Sequence, residues 1–108
     1  MRRPDAFGLV GSISFAHVPR DPVRAAMRAS ATLPIRRLYA DCGTRWAYDQ
    51  PHRDDSTGAT REVLAIAAER GKTPGVDLLG IVAEGHYHNE VFWRKRIGRC
   101  LEFLFPPN

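Results

Sequence analysis

Two histidines stand one residue apart in the turn Glu84-Gly85-His86-Tyr87-His88-Asn89. An imidazole titrates near neutrality, so a histidine held in place can take a proton from a nucleophile and hand it on. Two more, His17 and His52, lie in polar stretches, and Asp41, Asp49, Asp54 and Asp55 cluster in one segment running to about Gly58. A carboxylate that holds an imidazole in one tautomer completes a nucleophile–base–acid relay. Cys42 and Cys100 lie far apart, with no CxxC pair and no zinc-type Cys/His spacing. These residue types point to proton transfer at an active-site rim, and no metal or organic cofactor is implied.

Positioning such groups requires rigid elements on either side. Residues 7–15 are apolar with two glycines and read as a buried strand. Asp21 caps a short helix to Ala29, with Pro22 in its first turn. Residues 35–41 form a second strand, and a polar loop opens at Asp41. Residues 59–70 are a helix facing inward with Val63, Ile66 and Ala67, stopped by Gly71 and Pro74. The third strand covers 76–83. The last helix runs from Glu90 to Leu104, with Asn89 as cap. Its apolar stripe is Trp93, Ile97, Cys100, Leu101 and Leu104, with Cys100 a small core residue, while Arg94, Lys95, Arg96 and Arg99 face away or flank it.

This alternation predicts an α/β fold, three layers α/β/α, with parallel strands and right-handed crossovers. The carboxyl ends of the strands then share one edge, where ligands bind in open α/β sheets. That edge gathers His17, the loop of residues 41–58, and His86 with His88. With 108 residues, one domain is expected. Net charge is +4, but the 14 arginines and 2 lysines are scattered, so nucleic-acid binding is not expected. No apolar run reaches the roughly 18 residues of a membrane span, so no membrane partner is expected. Met1-Arg2-Arg3-Pro4-Asp5 does not open a signal peptide, and with the two unpaired cysteines a reduced, cytoplasmic protein is expected.

The stretch Glu84-Gly85-His86-Tyr87-His88-Asn89-Glu90-Val91-Phe92-Trp93 resembles the end of the esterase family of α/β-hydrolases that includes the enterochelin esterases. Leu101-Glu102-Phe103-Leu104-Phe105 resembles that family's closing helix, and Leu38-Tyr39-Ala40-Asp41-Cys42-Gly43-Thr44 its strand ending in Asp-x-Gly-Thr. Arg3-Pro4-Asp5-Ala6-Phe7-Gly8 resembles the piece after the nucleophile helix. The motifs fall in family order over nearly the whole chain, which resembles only the carboxyl-terminal portion of a hydrolase domain. The resemblance implies that His88 is the base of a serine carboxylic-ester hydrolase, acting on a small-molecule ester through an acyl-enzyme. It gives His86 no catalytic part.

Two departures stand out. Trp46 occupies the position where the family carries its acid; Asp49 is the nearest carboxylate downstream and the expected replacement, with Asp54 and Asp55 behind it. The nucleophile elbow GxSxG is absent, since Gly11-Ser12-Ile13-Ser14-Phe15 ends in Phe. Without serine and oxyanion hole the chain is expected to be inactive alone, a product of a truncated gene or a misplaced start. The first strand would present an open edge, through which the chain could form a homo-oligomer. The alternative is a small standalone α/β binding or dimerising module without catalysis.

Overall fold

A computed structural model describes residues 7–16, 21–47 and 56–108. Strands and helices alternate: β1 (Leu9–Ser12), α1 (Pro22–Ala29), β2 (Arg37–Gly43), α2 (Ser56–Glu69), β3 (Leu78–Ala83) and α3 (Glu90–Leu104). The three strands form one parallel sheet in the order β1-β2-β3. Parallel strands need crossover connections, and the intervening helices supply them. The fold is a small α/β fold, as the alternation predicted.

The central strand sorts its side chains by parity. Leu38 and Ala40 point to one face and pack with Val63, Ala67 and Leu78; partly buried Met27 and Leu33 close over them. Helices α1 and α2 cover this face. Tyr39 points the other way and packs with Cys100 and Leu104 of α3. The sheet therefore lies between two helical layers.

The caps behave as the sequence predicts. Asp21 accepts from the Val23 amide at 2.8 Å, and Asn89 from the Val91 amide at 3.1 Å, each satisfying an amide of a helix's first turn. Each strand begins two residues later than expected, and two strands also end elsewhere. β1 stops at Ser12 rather than reaching residue 15, because Ser14 takes a left-handed backbone (φ 56°) that leaves the extended conformation. β2 continues past Asp41, so Asp41, Cys42 and Gly43 pair with Ile81, Val82 and Ala83 instead of opening a loop. Asp41 is thereby drawn into the core, fully buried.

Candidate active site

The segment after β2 and the turn after β3 are laced together at the carboxyl edge of the sheet. Thr44 Oγ1 accepts from the Gly85 amide at 2.9 Å, and the Arg45 amide donates to the His86 carbonyl at 3.1 Å. The His88 amide donates to the Trp46 carbonyl at 2.9 Å. Gly85 takes φ 77°, the left-handed conformation that costs glycine least. Gly43 permits the close approach: a Cβ there would lie 2.1 Å from the His86 carbonyl oxygen.

This lacing sets His88 at the wall of a cleft of about 380 Å³, lined by Ile13, Ser14, His88, Trp93, Arg94 and Ile97. The His88 ring lies 4.2 Å from the Trp46 ring at an interplanar angle of 30°, and 5.2 Å from Trp93, edge-on at 86°. Trp46, at the position where an acid was sought, therefore touches the histidine by its face. An indole face attracts an imidazolium but offers no in-plane acceptor for a ring N–H.

Beneath the cleft lies a buried polar cluster. The Asp41 carboxylate accepts from the Ser14 amide at 2.7 Å and from the Tyr39 hydroxyl at 2.5 Å. Arg96, 4% exposed, sets its Nε 3.1 Å from Asp41 Oδ2. Its Nη2 donates to Ser14 Oγ at 2.6 Å, and its Nη1 lies 2.8 Å from His86 Nδ1. Burial, reinforced by the hydrogen bond to Asp41, pushes the Tyr39 phenol far above its ordinary range. Burial, with Arg96 and Lys95 nearby, lowers the His86 pKa.

The expected site residues are thus placed unevenly. His88 lines the cleft. Asp41 is engaged in the buried cluster, and His86 joins that cluster through Arg96. Asp49, Asp54, Asp55, His17 and His52 lie outside the described residues, as does the Arg3-Pro4-Asp5 motif. Arg96 overturns its expected outward placement, because its guanidinium turns in to meet the Asp41 carboxylate. The signal was present: Arg96 stands four and eight residues before the buried Cys100 and Leu104, on the same helical face. Ser14 was passed over because its environment depends on a left-handed backbone that its residue type does not announce.

Among the described residues, no group of three or more His, Cys, Asp or Glu side chains is arranged to hold a metal ion. No helix there is long and apolar enough to cross a membrane. Comparison with known proteins finds no matching family model, curated protein or solved structure.

Proposed function

We propose that this chain is the carboxyl-terminal segment of a serine carboxylic-ester hydrolase, with His88 as general base and Asp49 as the acid. The observation that carries this reading is the site of His88: just past the third parallel strand, at the wall of a cleft, held by Trp46 and Trp93. In the proposed reaction a serine oxygen attacks the ester carbonyl as His88 takes its proton. The same proton then goes to the departing alcohol, and water repeats the sequence on the acyl-enzyme. The sequence contains no GxSxG, so the serine and the oxyanion-hole amides come from a segment outside these 108 residues. The cleft's own Ser14 hydroxyl is already engaged by Arg96.

The test is hydrolysis of p-nitrophenyl acetate. The 108-residue chain is expected to show only the buffer rate. A longer reading frame that adds a GxSxG segment upstream is expected to hydrolyse it, and His88→Ala in that protein to lower kcat by roughly 10⁴-fold or more. Hydrolysis by the short chain, abolished in His88→Ala, would overturn the need for an added serine. A frame without such a segment would remove the reading altogether.

A second reading, a dimerising module without catalysis, is favoured by the open side of β1. Among the described residues β1 pairs only with β2. Above that edge Ile97 and Leu101 of α3 are 37% and 49% exposed. Below it runs an apolar groove of about 490 Å³ that includes Val10, Phe15, Met27 and Leu33. Sedimentation equilibrium separates the readings: a tight dimer, lost in Leu101→Asp, with no activity in any extended form, supports the module.

A further inference from the structure

One guanidinium binds three separate pieces of the carboxyl edge. Arg96 reaches Ser14 just after β1, Asp41 in β2 and His86 in the turn between β3 and α3. It does so from the buried face of α3, beside an Asp41 that has no exposure to solvent. The fork of a guanidinium can meet several acceptors at fixed angles, which the point charge of a lysine cannot. Its nitrogens only donate, so the His86 nitrogen 2.8 Å from Nη1 must present a lone pair.

We infer that Arg96 is the positioning residue of the histidine turn: it fixes His86 with its proton on Nε2 and, through that anchored ring, sets the course of the chain to His88. The groups facing His86 agree. Arg96 and Lys95 approach it from α3 and Asp41 from β2, with Asp41 already paired to Arg96. An added proton on Nδ1 would meet the guanidinium head-on. The Phe92 ring, 4.9 Å from the His86 ring, closes one side, and the Gly43 backbone leaves room for its carbonyl. Two residues on, the His88 amide is bound to Trp46, so the short path between the two histidines is held at both ends. The inference rests on the reading of His88 as the working group of the cleft, but its readout needs no turnover. Absence of hydrolysis in every extended form would remove the proposed function and leave the positioning test untouched.

The test is two-bond ¹H–¹⁵N correlation of the histidine rings in the whole chain. In the wild type His86 is expected to show an unprotonated Nδ1 and a protonated Nε2 at pH 7.5, and to take its second proton at a lower pH than an ordinary imidazole. In Arg96→Lys, which keeps the charge but loses the fork, His86 is expected to show both tautomers. The His88 ring protons are expected to lose the ring-current shifts of Trp46 and Trp93. Arg24→Met serves as control. Arg24 is also buried and ion-paired, to Asp21 and Glu62, but on the opposite face of the sheet. It is expected to lower stability and leave the histidine spectra unchanged. Should Arg96→Lys fail to fold, His86→Gln, whose side-chain oxygen can still accept from Nη1, is expected to keep the His88 shifts, and His86→Leu to lose them. A wild-type proton on His86 Nδ1 at pH 7.5, or His88 shifts indifferent to these changes, or equally moved by Arg24→Met, would overturn the inference.

Discussion

The two faces of the sheet are made of different materials. On the α2 side the cluster packed directly on β2 is hydrocarbon, namely Leu38, Ala40, Val63, Ala67 and Leu78, and the buried ion pair of that side, Arg24 with Asp21, belongs to α1 and its cap. On the α3 side, Tyr39, Cys100 and Leu104 share the space with Asp41, Arg96 and Ser14, all buried. An apolar core weakens by increments, since each lost methylene removes a small part of the burial. A buried ion pair fails abruptly, since losing one partner leaves the other charged and desolvated. The polar cluster beneath the cleft is therefore where residue identity matters most, and the hydrocarbon cluster across the sheet is where change is best tolerated.

The sharpest way to break that contrast is Asp41→Ala. It strands Arg96 in the core and is expected to cost about 3–5 kcal/mol in urea unfolding. A loss under 1 kcal/mol would mean that the pair is not a closed unit. Val63→Ala, on the apolar face, is expected to cost about 2 kcal/mol, with the dependence on urea unchanged. Equal losses from the two substitutions would erase the distinction between the faces. Asn89→Ala removes the cap of α3 and is expected to cost about 1 kcal/mol, without altering the spectrum of His86.

The smallest effect is expected from titration. The folded His86 binds its proton less readily than an unfolded histidine does. The unfolded state therefore takes up more protons as pH falls through the ordinary histidine range, and stability declines on acidification. Urea midpoints at pH 7.5 and 5.5 are expected to fall less in His86→Gln than in the wild type. The opposite ordering would mean that His86 gains, rather than loses, proton affinity on folding.

These differences also mark what the sequence could reveal. The bounds of helix α3 were legible, because Asn89 and Glu90 announce its start and its stripe reaches Leu104. The parallel sense of the strands followed from alternation alone. His88 at the sheet edge was legible for the same reason, since a strand end and a helix cap bracket it. The polar core was not. A run of basic residues reads as a wetted surface until a buried carboxylate is known to lie opposite, and Asp41 itself looked like the start of a loop. Its burial depends on strand pairing from Asp41 to Gly43, a contact between segments some 40 residues apart in sequence. Trp46 likewise entered as a missing acid, and only packing shows its ring against His88.

The two cysteines carry a consequence of this layering. Cys42 faces α2, where Thr57 and Thr60 lie beside its sulfur, while Cys100 packs against Gly11 and Tyr39 on the opposite side of the sheet. Burial raises both thiol pKa values. With the sheet between them they cannot join without unfolding, and neither presents a ready thiolate. Each is a clock for its own layer: the rate at which a thiol reagent reaches Cys42 times the opening of the hydrocarbon side, and the rate at Cys100 that of the charged side.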